Sequence, residues 1–331
     1  MAEQASLLVI TGVTATGKTD LALTLADRFP VHLISVDSAM VYRGMDIGTA
    51  KPSAAELRRH PHALIDIRDP VEAYTVADFV SDADREVAWA FANGRVPILV
   101  GGTMMYLRAF REGLDDIPAS TPAVRALVSQ RAAQEGWPAL HAELIARDPV
   151  AAAGIHPNNP QRLARALEVL LLTGRPLSSY WGTAQSAAAR HACDVTEVLL
   201  DWPERQIVHD RIAQRLDHMF ASGFIDEVVQ LRARGDLHVG LPALRAVGYR
   251  QVWSYLDGKL SADQMRQDVL AATRGLARRQ YTWLRAWTHM HRLSAADPAV
   301  TFDQVTRLAF HGTSGHSAAE IVGLAEDRHS V

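Results

Sequence analysis

Gly12-Val13-Thr14-Ala15-Thr16-Gly17-Lys18-Thr19 follows the spacing G-x-x-x-x-G-K-[ST]. Such a loop turns backbone N–H groups inward at the start of a helix, where the helix dipole adds partial positive charge. Lys18 supplies a point charge for a terminal phosphate, and the Thr19 hydroxyl suits Mg²⁺. The motif cradles a di- or triphosphate without saying which. Three further groups could act on such a ligand. Asp37, before Ser38, is either a cap or Mg²⁺-organising acid, or a general base that removes a proton from a nucleophile. Thr103 follows Gly101-Gly102, two residues that let a ligand approach the backbone, and its hydroxyl could donate to a leaving oxygen; ordinary turn chemistry explains the tripeptide equally well. Arg211 and Arg215, spaced i, i+4, can reach a common anion.

The elements around these residues alternate. Leu7 to Ile10 is a short apolar run that predicts a buried strand into the phosphate loop, and Lys18 to Arg28 a helix. His32 to Val36 predicts a strand ending at Asp37, His62 to Ile67 a third, residues 75 to 92 a helix stopped by Asn93-Gly94, and Val96 to Val100 a strand ending at the two glycines. Strand, crossover and strand define a parallel α/β sheet, whose carboxyl edge collects the phosphate loop, Asp37 and Thr103. Between about 121 and 190 the strand signal vanishes. Thr121-Pro122, Asp148-Pro149 and Asn159-Pro160 each put a capping residue before a proline at the first helical position. Leu163, Leu167, Leu170 and Leu171 form one stripe, ended by Gly174. The expected architecture is therefore a P-loop NTPase-like α/β core over 1–118 and 191–311, an all-helical insertion over 119–190, and a loose tail over 312–331. Strand character returns at Val195 to Leu200, followed by helices near 203–221, 223–233, 242–256 and 261–286. His60-Pro61-His62 reads as structural rather than as a metal pair.

Composition bounds the class. The 331 residues are 48% hydrophobic and 21% charged with a net charge of −3, enough to build a full core and unlike a disordered chain. A single cysteine, Cys193, excludes an internal disulfide and a CxxC pair. No apolar run approaches the ~18–20 residues that span a bilayer, and Met1-Ala2-Glu3-Gln4 does not open a signal peptide, so a cytoplasmic protein is expected. Charge is uneven. Residues 245 to 292 carry eight Arg and one Lys against three Asp. Arg274, Arg278, Tyr281 and Arg285 share a helix face, with Trp283 and Trp287 beside it. This is either a solvated face or a surface that tracks nucleic-acid phosphates.

Taken together, the chain resembles the tRNA dimethylallyltransferases (tRNA isopentenyltransferases) of the bacterial type. The resemblance rests on seven collinear blocks: GVTATGKT at 12–19, ISVDSAMVYRGMDIGTAKP at 34–52, VGGTMMYLRAF at 100–110, IHPNNPQRLARALEVLLLTGRP at 155–176, RIAQRLDHMFASGFIDEV at 211–228, LPALRAVGYRQVWSYL at 241–256 and LARRQYTWLRAW at 276–287. It implies transfer of a dimethylallyl group from its diphosphate to N6 of the adenosine 3′-adjacent to the anticodon, position 37, in tRNAs that read codons beginning with U. It further implies Gly12 to Thr19 with Arg211 and Arg215 on the diphosphate, Mg²⁺ at Thr19, Asp37 as base, and Thr103 beside the reacting groups. The tRNA contacts it implies are Asp37, Ser38, Ala39, Met40, Thr103 and Arg125; Gln161, Arg162, Leu163, Ala164 and Arg165; Arg245, Ala246, Val247, Gly248, Tyr249 and Arg250; and Arg278, Arg279, Gln280, Tyr281, Thr282, Trp283 and Leu284. The expected enzyme is a monomer that binds the anticodon stem-loop and no membrane. Val13 and Thr16 stand where the family usually has proline and serine, which leaves the phosphate-binding pattern intact. The rivals are a small-molecule P-loop kinase, an enzyme prenylating free adenine nucleotide, and a nucleotide-driven switch.

Overall fold

The computed structural model describes residues 5–310; the expected tail over 312–331 lies outside the described residues. Its core alternates β1 (Ser6–Gly12), α1 (Lys18–Ala26), β2 (Val31–Val36), α2 (Ala54–Arg59), β3 (His62–Ala63), α3 (Val76–Ala92), β4 (Val96–Gly101) and α4 (Met104–Glu112). The helical stretch holds α5 (Pro122–Glu135), α6 (Trp137–Arg147), α7 (Pro149–Ala153) and α8 (Pro160–Thr173). The core resumes with α9 (Ala187–His191), β5 (Asp194–Asp201), α10 (Arg205–Ala221), α11 (Phe224–Ala233), α12 (Tyr249–Leu256), α13 (Ala262–Ala286), β6 (His291–Ser294) and α14 (Pro298–Phe310).

All six strands run parallel in the order β3-β2-β4-β1-β5-β6. Helices cover both faces, which is why the central strands read as unbroken apolar runs. Along β1, Leu7 and Val9 pack into one core and Leu8 and Ile10 into the other, the period-2 alternation of a strand. The first core is shared with α3, α4 and α10 to α13, the second with α1 and α14. Because every strand points the same way, Gly12, Val36, Gly101 and Asp201 all end at one edge.

Residues 112–186 form a compact unit of their own. The chain therefore leaves and re-enters the core at 111/112 and 186/187, not at 118/119 and 190/191. The shift has a local cause: Arg190 and His191 on α9 both bond Asp84 on α3, and Arg190 also donates to the Phe110 carbonyl, which ties α9 to the sheet unit. Within 112–186, Thr121, Asp148 and Asn159 cap α5, α7 and α8 through side-chain oxygens. Such caps are worth about 1 kcal/mol each. Leu163, Leu167 and Leu170 are buried together there with Leu140 and Leu144. Two expectations need correction. The strand expected over His62 to Ile67 is only two residues long, since Leu64 and Asp66 take positive φ and leave the sheet. The part after Leu200, expected to be helical throughout, also holds a strand, β6, before its last helix α14. β6 forms at the sheet edge by pairing with β5, a partner just over ninety residues away that no local pattern reveals.

Candidate active site

Gly17 starts α1 from the left-handed region (φ 87), which no side-chain-bearing residue adopts cheaply, and Gly12 has no room for a Cβ, which would lie 2.4 Å from the Leu200 carbonyl. Between them the loop folds tightly: the Thr16 hydroxyl and Lys18 Nζ both donate to the Val13 carbonyl, at 2.9 and 2.7 Å. Arg211 Nε donates to the Ala15 carbonyl (2.8 Å) and Arg215 Nη2 to Thr14 Oγ1 (2.5 Å), so both arginines of α10 close over the loop.

One cavity of about 1010 Å³ opens on this loop and is lined by Thr14 to Asp20, Asp37 to Met40, Gly101 to Met105, Arg211 and Arg215, among others. The phosphate loop, Asp37 and Thr103 thus share one chamber. Asp37 Oδ1 accepts from the amides of Ala39 (2.8 Å) and Met40 (3.1 Å), while Oδ2 has no hydrogen-bond partner among the described residues. One oxygen caps the turn and the other is left for chemistry. Burial raises the Asp37 pKa, opposed by those two amides and by Lys18 and Arg215. Burial, helped by the Arg215 charge and resisted by Asp37, lowers Lys18 from 10.5 to about 7. Thr103 Oγ1 accepts from the Ser38 amide (3.1 Å), which joins the Asp37 turn to the Gly101-Gly102 loop.

The two glycines line the cavity and are also packed closely by neighbouring protein. A Cβ at Gly101 would lie 2.2 Å from the Val36 carbonyl, and one at Gly102 2.7 Å from Gln280 Nε2. The residues expected on tRNA divide sharply by burial. Arg125, Gln161, Arg162, Arg245, Arg250, Arg278, Arg279 and Thr282 are exposed. Leu163 and Leu284 are buried on the inward stripes of their helices, a position that block matching does not distinguish from the outward one, whereas the buried Tyr249 and Gln280 line the cavity. Arg165 is half-buried and donates to the Pro118 carbonyl (2.8 Å). Tyr281 donates to Asp201 (3.4 Å) beneath Arg205, and Trp283, Ala246, Val247 and Gly248 join the cavity lining.

Three groups carry more than the sequence suggested, Glu227 and Lys51 having drawn no reading of their own and His62 having been read only as structural. Glu227 is buried on α11 and accepts from the amides of Asp46, Ile47 and Gly48 and from the Tyr249 hydroxyl, which holds the 46–51 segment as a cavity wall. Lys51 is closed off between Tyr42 O, Asp46 and Asp66. His62 lines the cavity; its Nδ1 must donate to the His60 carbonyl (2.9 Å), so Nε2 is an acceptor, buried and without a partner among the described residues. An acidic residue alone on α11 gives no sign of three amides some 180 positions earlier.

A phosphate loop, an available carboxylate and two arginines at the carboxyl edge of a wholly parallel sheet define a P-loop protein with a group-transfer site on a phosphorylated ligand. Comparison narrows the class. Residues 40–287 match the IPP transferase family model. The chain is 53% identical over 301 residues to the tRNA dimethylallyltransferase of Chromohalobacter salexigens, covering 91% of this chain and 96% of that one. The solved tRNA isopentenylpyrophosphate transferase of Bacillus halodurans superposes with a TM-score of 0.65 at 34% identity, over 98% of this chain and 100% of that one. A eukaryotic dimethylallyltransferase acting on tRNA shares the fold, with a TM-score of 0.76 at 22% identity over 98% of this chain and 79% of that one. The chain belongs to the IPP transferase family.

Proposed function

We propose that this chain is a tRNA dimethylallyltransferase. It transfers the five-carbon group of dimethylallyl diphosphate to N6 of adenosine 37, next to the anticodon, in tRNAs reading codons that begin with U, and releases diphosphate. The observation that carries this reading is the single cavity in which a diphosphate cradle and a carboxylate with an unengaged oxygen face the same space.

The chemistry follows from the groups present. The N6 lone pair of adenine is delocalised into the ring, so the amine is a weak nucleophile until its proton leaves. Asp37 Oδ2 takes that proton as the N6–C bond forms, and its burial-raised basicity strengthens the pull. As the allylic C–O bond breaks, negative charge grows on the diphosphate, where the loop amides, Lys18, Arg211 and Arg215 stabilise it. Leu216, Met219, Phe224 and Val269 give the chamber an apolar wall that keeps water from the allylic carbon.

The donor set also fits Mg²⁺. Among the described residues no group of three or more His, Cys, Asp or Glu could form a protein cage. A loop threonine opening on a phosphate chamber suits an ion that keeps its waters and binds through phosphate oxygens. Thr19 would hold it, and the bound ion would add positive charge at the leaving group. The exposed Arg125, Gln161, Arg162, Arg245, Arg250, Arg278, Arg279 and Thr282 are the tRNA contacts in this reading. Among the described residues no helix is long and apolar enough to cross a membrane. A tRNA substrate supports a cytoplasmic location, and a monomer is the state proposed.

Incubation with radiolabelled dimethylallyl diphosphate, Mg²⁺ and unmodified tRNA, with AMP in parallel, tests the reading. Label on adenosine 37 of tRNA is expected. Label on AMP instead, or ATP hydrolysis without prenyl transfer, would overturn it.

A further inference from the structure

Gln280 breaks the pattern of its helix. Along α13, Ala277, Gln280 and Leu284 fall at i, i+3 and i+7 on one inward stripe, and all three are buried. An apolar residue is the ordinary occupant of such a position. Both ends of the amide are engaged here instead. Its Oε1 accepts from the Thr14 amide of the phosphate loop (2.9 Å), and its Nε2 donates to the Gly102 carbonyl (2.8 Å). An amide N–H can only donate and a carbonyl can only accept, so the orientation of the side chain is dictated by its partners. A primary amide meets both demands. Leucine or methionine meets neither, and a carboxylate would set a second acceptor against the Gly102 carbonyl.

The two loops so joined are those that hold the two reacting partners. Thr14 is also gripped by Arg215 through its hydroxyl, so its position sets that of the diphosphate cradle. Gly102 precedes Thr103, whose hydroxyl holds the Ser38 amide next to Asp37. A shift of the Gly102 carbonyl therefore moves Thr103 and the Asp37 turn relative to the cradle. The lack of a side chain at Gly102 serves this contact, since a Cβ would sit 2.7 Å from Gln280 Nε2.

We propose that Gln280 is a positioning residue that sets the distance between the diphosphate cradle and the Thr103–Asp37 side of the cavity, and that it is not a tRNA contact. The proposal rests on the prenyl-transfer reading of this site. Its neighbours Arg278, Arg279 and Thr282 are exposed on the same helix, Arg279 at the cavity, and are the tRNA contacts of that reading.

The test is a double-mutant cycle between Gln280→Met and Gly102→Ala, which share the loss of the Gln280–Gly102 bond, Gln280→Met removing the bond to Thr14 as well. Transfer to tRNA is measured with each substrate varied, and thermal melting checks that each variant is folded. A misplacement of about 1 Å can cost roughly 100-fold in rate, so each single variant is expected to lose kcat by about that factor, with the KM for tRNA changed by less than about threefold. The double variant is expected to be no slower than the slower single variant, because the same bond is already lost. A packing role predicts near-normal kcat for Gln280→Met and additive losses in the double variant. A tRNA contact predicts a raised KM for tRNA with kcat retained. Either result overturns the proposal. Should Gln280→Met fail to fold, Gly102→Ala alone, read against the same kcat and KM expectations, decides. Failure of the functional reading looks different: the unmodified chain itself then leaves tRNA unlabelled.

Discussion

Lys18 lies in the cavity with its Nζ on the Val13 carbonyl, beside Arg215, and its pKa falls from 10.5 to about 7. At about 1.36 kcal/mol per pKa unit, the free site disfavours the ammonium by on the order of 5 kcal/mol. A bound diphosphate reverses the balance, since opposite charge favours the protonated amine and raises its pKa. Binding must then draw in a proton wherever the free enzyme lacks one. Below pH 7 Lys18 is already charged and binding is strongest. Above it, affinity falls by up to tenfold per pH unit until the pKa of the complex is reached. At pH 8 net proton uptake, rising with pH toward one proton, is expected for each dimethylallyl diphosphate bound. Calorimetric titration with Mg²⁺ in two buffers of different ionisation enthalpy measures that number directly. Lys18→Met is expected to weaken binding and to abolish both the uptake and the pH slope. Tight, pH-independent binding by the unmodified chain at pH 7 to 9, with no proton uptake, would refute the argument from burial.

Asp37→Asn keeps an Oδ1 acceptor for the Ala39 and Met40 amides but cannot take a proton, so transfer should fall by roughly 10² to 10⁴-fold while dimethylallyl diphosphate still binds. Single-turnover rates and calorimetry on one preparation separate the two effects. Because Asp37 must be ionised to act and burial raises its pKa, kcat should fall toward acid pH through a value above the ordinary carboxylate range; a rate flat down to pH 4 would remove it from the proton step. Arg278→Ala and Arg279→Ala should each raise the KM for tRNA and flatten the plot of log affinity against log salt by about 0.7 to 0.9. An unchanged slope would return these cations to solvent. Gly48→Ala would drive a Cβ to 2.1 Å from the Phe224 ring and 2.7 Å from Tyr249, so a stability loss of about 1–3 kcal/mol is expected, read as a lowered melting temperature.

What could be read before the fold was known is what lies contiguous in the chain. The phosphate loop is legible in eight consecutive residues, because such a loop works mainly through successive backbone amides. Asp37 and Thr103 were legible as strand-end residues, since parallel strands expose their carboxyl ends at one edge. The caps at Thr121, Asp148 and Asn159 act on amides three residues away and were visible for the same reason.

The residue types at 227 and 280 look like ordinary surface polar positions, yet each closes hydrogen bonds across much of the chain. Thr14 and Gln280 are 266 residues apart, and Ile47 and Glu227 are 180 apart. A helix of alternating cations and apolar residues also leaves open which of its polar groups turn inward. Packing settled that, burying Gln280 and Tyr249 and leaving Arg278 and Arg279 in water. The chemistry of this protein was thus written locally, in types and short spacings. The distances at which that chemistry operates came from tertiary structure alone, because a buried hydrogen bond is defined by where two remote backbones finally meet.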